Sequence, residues 1–192
     1  MPAIVSIRNG PFRGVSRQLV RRWAERMLGC LDLSRAELSI AITDDREIRE
    51  LNKVFRHRDR ATDVLAFAMR EGQPLGANRL PNQPGEMLGD VVVSVETARR
   101  QASQRRRPLE AEMLMLLAHG LLHLVGYDHQ SERDEAIMTA ETDRLCRAAH
   151  LRAGGRTPRA ASTPSKREPL TSTARARRPS RAGARVKGSS SR

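Results

Sequence analysis

One stretch constrains the fold of this chain more than any other. LEAEMLMLLAHGLLHLVG, residues 109–126, is apolar around almost its whole helical circumference. A helix of that kind has no face to offer to water, so it is expected at the centre of the fold, buried on every side. Pro108 suits its first turn, Glu110 and Glu112 fall near its positive end, and Gly126 can close it in a left-handed turn. Its only polar side chains beyond the first turn are His119 and His123, and His129 follows three residues after Gly126. Eleven residues thus hold three of the chain's five histidines.

The segments around that helix read as alternating strands and helices. AIVSIR, residues 3–8, suits a short strand. Ser16 then caps a helix whose Leu19, Val20, Trp23 and Met27 recur at helical spacing and which Gly29 is expected to end. In ELSIAIT, Leu38, Ile40 and Ile42 alternate with Ser39, Ala41 and Thr43, the period of two that marks one buried face. Asp44 and Glu47 resemble a capping box, followed by an apolar stripe of Ile48, Leu51 and Phe55. Further strands are expected at Val64 to Met69 and Leu88 to Val95. The Pro-, Gly- and Asn-rich stretch from Arg70 to Met87 between them is long enough for a mobile binding loop or simple disorder. Helices capped by Ser94 and Ser131 flank the central one. This order points to an α+β domain over residues 1–150: a small mixed sheet of about four strands packed with about five helices, the histidines on the central one.

Residues 151–192 differ in kind. They hold twelve Lys or Arg against one acid, Glu168, so this tail carries +11 of the chain's +13. Leu151, Leu170 and Val186 are its only large aliphatic side chains, too little apolar surface to offset the entropy of ordering, so disorder is expected. A block of such charge suits a polyanion, nucleic acid foremost, with a merely solubilising extension as the plainer alternative. Cys30 and Cys146 do not make a disulfide framework and suit a reducing cytosol. No apolar run reaches the roughly 18 residues that span a bilayer, and the N-terminus does not read as a secretion signal, so a cytoplasmic protein without membrane attachment is expected.

His119 and His123 lie four apart and leave the same helical face one turn from each other. A turn at Gly126 needs only three residues to bring His129 beside them. Three neutral imidazoles make a face for a borderline metal, zinc first, at about 2.0–2.1 Å. A lone histidine in a core is usually just a satisfied polar residue. Three buried and unpaired ones would each carry a desolvation cost of about 1–3 kcal/mol, which favours the metal. Structural zinc normally has four protein ligands, often with Cys, whereas three histidines leave a position for water. The expectation is one catalytic Zn2+ on His119, His123 and His129.

The spacing H-x3-H-x2-G-x2-H is shared with metzincin proteases, which place Glu directly after the first histidine as general base. Gly120 stands there instead, and peptide hydrolysis by that route is disfavoured. Glycine inside a helix costs about 1 kcal/mol relative to alanine. Its presence therefore suggests a close approach to the backbone, by a ligand or by tight packing.

HGLLHLVGYDH resembles the H-G-x-L-H-L-x-G-Y-D-H signature of the YbeY family of bacterial rRNA-maturation endoribonucleases. ELNKVFRHRDRATDVLAF and GEMLGDVVVSVETA are similar to two further blocks of that family, in the same order, so the resemblance covers about residues 3–150. It implies a metal-dependent, single-strand-specific endoribonuclease acting in maturation of the 3′ end of 16S rRNA and in late-stage 70S ribosome quality control. Its implied partners are single-stranded 16S rRNA precursor and the ribosome or ribosomal proteins. Residue by residue, it implies His119, His123 and His129 as metal ligands, with His119 and Arg56 serving catalysis. Ala61 departs from the proline the family often has, and nothing in the family pattern extends to the tail.

A guanidinium at Arg56 can hold phosphate oxygens in a bidentate fork and stabilise developing charge. On spacing alone it reads as a solvated surface arginine. Thr62 and Asp63 can brace the site and Asp128 can orient a liganding histidine, but turn chemistry accounts for each equally well. His57 reads as exposed, and His150 sits at a helix end that welcomes a cation. Two other functions stay open: a zinc metalloprotease, and a ribosome-binding assembly factor with a structural metal. With so few aromatics, broad base-stacking recognition is not expected.

Overall fold

The computed structural model describes residues 3–69, 84–127 and 131–150. Residues 1–2, 70–83, 128–130 and 151–192, Asp128 and His129 among them, lie outside the described residues. Alternating and β-branched segments form four strands: β1 (Ala3–Ile7), β2 (Glu37–Thr43), β3 (Val64–Ala68) and β4 (Met87–Ser94). They make one mixed sheet in the order β1-β2-β4-β3, with β1, β2 and β4 parallel and β3 antiparallel at the edge. Among the described residues five helices complete the α+β fold: α1 (Arg17–Cys30), α2 (Asp45–Arg56), α3 (Val95–Gln104), α4 (Leu109–Leu124) and α5 (Glu132–His150).

Caps set these boundaries. The side chains of Ser16, Asp44, Ser94 and Ser131 each accept a hydrogen bond from the backbone N–H three residues on, as N-caps do. Gly29 does not end α1. The N–H of Leu31 bonds back to the carbonyls of Met27 and Leu28, so the helix carries one residue past the glycine. Glu47 does not reach back to close a box on Asp44 either. Its carboxylate is taken up by Thr43, Arg8 and Asn9, which ties α2 to the ends of β1 and β2.

The larger core fills one face of the sheet. Leu38, Ile40 and Ile42 of β2 and Val91 and Val93 of β4 pack there with α1, α4 and α5. Fully buried side chains such as Leu114, Leu117, Leu121 and Leu122 of α4 each contribute about 1.5–3 kcal/mol. The opposite face of β2 is buried too, contrary to the one-faced reading of its alternation. Ala41 meets Leu65, Val92 and Ile48 in a second, smaller core beneath α2. Ala41 and Thr43 are therefore covered rather than solvent-facing, while Ser39 is half-buried.

Charged groups lock the helices together. Glu112 in the first turn of α4 is 0 % exposed and is gripped by Arg105 and Arg107 from the turn that leaves α3. Asp45 accepts from Ser94, Thr97 and Arg100, joining the start of α2 to α3. Burial works to raise the Asp45 carboxyl, but the hydrogen bonds outweigh it and hold the group below the ordinary carboxylate range. A depressed carboxyl contributes stability that is full above its unfolded pKa and lost as pH falls through the folded one. Asp45→Asn should therefore lose less melting temperature than wild type as pH drops from about 5 to about 3. Parallel melting curves through that window would show that Asp45 plays no such part.

Candidate functional site

The helix α4 is central, as its composition requires, yet it is not buried all round. Ala111, Met115, His119 and His123 recur every four residues and are each half-buried. They form one stripe that leaves the core, while neighbouring positions stay covered. Met115 and His119 face a cleft of about 360 Å³ whose other wall comes from α5, including Glu135, Thr139 and Asp143. The correction has a simple origin: a mean over the helix hides a single narrow opening between two packed helices.

His119 and His123 come together in that stripe. Their ring centres lie 4.8 Å apart with the planes at 89°, an edge-to-face arrangement. The helix then ends abruptly. The N–H of Gly126 bonds to the carbonyl of His123, the N–H of Tyr127 reaches back to Leu122, and Gly126 takes φ 91°. This is a Schellman closure with glycine at its left-handed position, the turn expected at Gly126. His129, the third expected ligand, and Asp128 lie outside the described residues. Among the described residues no cluster of three or more His, Cys, Asp or Glu is placed to hold a metal.

Gly120 faces the other way, onto the sheet. A Cβ there would stand 2.8 Å from Cγ1 of Val91 and 3.1 Å from Cγ2 of Val64, so the glycine lets α4 settle directly on β4 and β3. Close helix packing, one of the two readings of this residue, accounts for it. Glycine carries no carboxylate, so the base a metzincin has at this position is missing. Gly120→Ala gains about 1 kcal/mol of helix propensity but must push apart two β-branched side chains at a cost of about 1–3 kcal/mol. The expected net loss of up to about 2 kcal/mol is checked by urea melts, and a gain in stability would contradict the packing account.

The remaining candidates separate. Arg56 is exposed in the last turn of α2, the layer on the far side of the sheet from α4. The segment 57–63 leads from it to Val64, which lies against Gly120. His57 is exposed at φ 55° and closes α2. Asp63 accepts from Thr62, from the N–H of Val64 and from Gln101, so it braces the entry to β3 onto α3. Turn chemistry therefore explains Thr62 and Asp63. Ala61 packs on the smaller core. Burial raises the thiol of Cys30 and pushes that of Cys146 up to about 11, so neither offers a thiolate at neutral pH. His150 ends α5. No helix among the described residues is long and apolar enough to cross a membrane.

The family model described as "Endoribonuclease YbeY" matches residues 12–150. A protein of that name from Anaeromyxobacter sp. is 42 % identical over 190 residues, covering 89 % of this chain and 92 % of its own. The one from Aquifex aeolicus is 46 % identical over 123 residues, 64 % of this chain and 76 % of its own. The Myxococcus xanthus protein is 46 % identical over 143 residues, 73 % of this chain, but the match spans only 46 % of that longer relative. In structure, a Thermotoga maritima protein solved in solution superposes with a TM-score of 0.51 at 24 % identity, covering 76 % of this chain and 89 % of that one, a likeness of fold. With three sequence blocks, the fold and the matched span in agreement, the chain belongs to the endoribonuclease YbeY family.

Proposed function

We propose that this chain is a zinc-dependent, single-strand-specific endoribonuclease of the cytoplasm. Its proposed work is the maturation of the 3′ end of 16S rRNA and late-stage 70S ribosome quality control, on rRNA precursor and in contact with ribosomal proteins. The observation that carries the reading is the pair His119 and His123, half-buried one turn apart in the open stripe of α4. Two imidazoles sharing one tetrahedral ion at about 2.0–2.1 Å put their ring centres about 5 Å apart. The observed 4.8 Å fits that requirement. His119, His123 and His129 would hold the ion. When bound there, a divalent metal supplies Lewis-acid polarisation of a phosphoryl oxygen and acidification of water.

The chain's own groups do the rest. The cleft between α4 and α5 lies beside His119 and is the proposed place for the phosphodiester. Arg56, across the sheet from α4, has as its proposed part in cleavage to hold phosphate oxygens of the bound strand in a fork and neutralise their charge. The tail, with +11, is suited to add sequence-independent grip on rRNA, and its removal after His150 should flatten the salt dependence of RNA binding. The test is metal analysis of the full chain together with cleavage of single- and double-stranded RNA before and after chelation. One zinc per chain, cleavage of the single strand and loss of activity on stripping are expected. Full activity in stripped protein refutes the reading.

A further inference from the structure

On the sheet face away from α4, the apolar stripe of α2 runs past the core it covers. Ile48 is fully buried, Leu51 is half-buried, and Phe55 is 60 % exposed. Phe67 of the edge strand β3 meets Phe55 edge to face, with ring centres 5.0 Å apart and planes at 66°. Such a contact steadies a ring without covering it. Met69, two residues beyond Phe67 and so on the same side of the strand, is 63 % exposed. Little folding energy comes from an aromatic left in water, because the gain scales with area removed from it. Yet a chain with three Phe, one Tyr and one Trp places two of them at this one spot.

The surroundings are cationic. Arg56, Arg58 and Arg60 follow Phe55 directly and are all exposed. The acid among them, Asp59, is engaged by Arg49 at 2.7 Å and Lys53 at 2.9 Å from α2. A partly open aromatic ring followed along the chain by exposed arginines has the chemistry of a single-strand nucleic-acid site, where bases stack and phosphates pair with cations. The apolar area is small: two exposed side chains and one half-buried ring. It suits one base better than a protein interface of about 800 Å² per partner.

We propose that Phe55, braced by Phe67, stacks on an unpaired base of single-stranded RNA while the exposed Arg58 holds a neighbouring phosphate. The proposal rests on the reading of the chain as an RNA-cleaving enzyme and supplies a source for its strand selectivity. A base inside a duplex has both faces covered by its neighbours and cannot use the platform.

The test is steady-state cleavage by the full, metal-loaded chain of a single-stranded RNA of about twelve nucleotides, within the range such sites cover. A ribose-phosphate chain of the same length without bases serves as competitive inhibitor. Phe55→Ala is expected to raise KM about five- to hundredfold, as loss of one stacked base does, while Phe55→Trp stays near wild type. Inhibition by the base-free chain should be unchanged in both variants. An unchanged KM in Phe55→Ala overturns the proposal, and so does an equal loss of affinity for the base-free chain. If Phe55→Ala instead keeps its KM but loses affinity for purified ribosomal proteins, the patch is a protein-docking surface. Wild type that neither binds nor cleaves any RNA refutes the underlying enzymatic reading, an outcome distinct from failure of the platform alone.

Discussion

Replacing His123 with alanine is expected to lower RNA cleavage at least a hundredfold and to cut the zinc content of the purified chain. Disturbing an outer partner of a metal-bound histidine already costs about 10–100-fold in affinity or activity, and loss of the ligand itself removes more. The geometry makes the experiment clean. His123 is half-buried in the open stripe of α4, and its neighbours Leu121, Leu122 and Leu124 carry the packing. Truncation there should leave the far-ultraviolet dichroism unchanged. His150→Ala, at the end of α5, is the matched control and should keep both zinc and activity. If His123→Ala retains full metal and full rate, the pair of imidazoles 4.8 Å apart is only a packed surface contact and the proposed chemistry has no centre.

That experiment turns on features the sequence exposes with unequal clarity. Spacing of four along a helix fixes two side chains on one face whatever the tertiary structure, so the approach of His119 to His123 was legible. The Schellman closure was legible for the same kind of reason, since Gly126 takes a positive φ that other residues resist. The half-open stripe on α4 was not. Which flank of an all-apolar helix meets a gap depends on where α5 lies, and no local pattern encodes that. Gly120 shows the same limit: its cause is the pair Val91 and Val64, one in a strand 29 residues away and the other 56, and only the packed fold brings them under the helix. Phe55 misled in the opposite sense. It continues the period of Ile48 and Leu51, and periodicity assigns it to the core, but α2 overruns the sheet and leaves the ring in solvent. The scarcity of aromatics argued against base stacking, whereas their placement argues for it at one point.

Gly89→Ala is expected to be the most damaging single methyl group in the domain. Glu37 pairs with Met87 and Leu38 with Gly89, so Leu88 is the extra residue of a bulge in β4. Gly89 answers it with φ 145°, a conformation L side chains rarely adopt. A Cβ there would overlap the carbonyl oxygen of Phe67 and stand 3.1 Å from Cα of Ala68 and from Cδ2 of Leu124. The first two of these are backbone atoms of the paired strand β3, which cannot swing aside as a side-chain tip can. Strain at the dihedral and overpacking each cost about 1–3 kcal/mol, so a loss of about 2–6 kcal/mol is expected, with melting lowered by about 4 °C or more. Adding Leu124→Ala should not restore stability, because the principal obstacle is the backbone of β3 and the second change opens a cavity of its own. The consequence reaches both proposed sites. Displacing β3 moves Val64 away from Gly120 on one face and Phe67 away from Phe55 on the other, so any folded Gly89→Ala protein should cleave RNA slowly and with raised KM. Melting within about 1 °C of wild type, a shift far below the one expected for about 2 kcal/mol, would mean that β4 can slide its bulge past Gly89, and this coupling between sheet and sites would be lost.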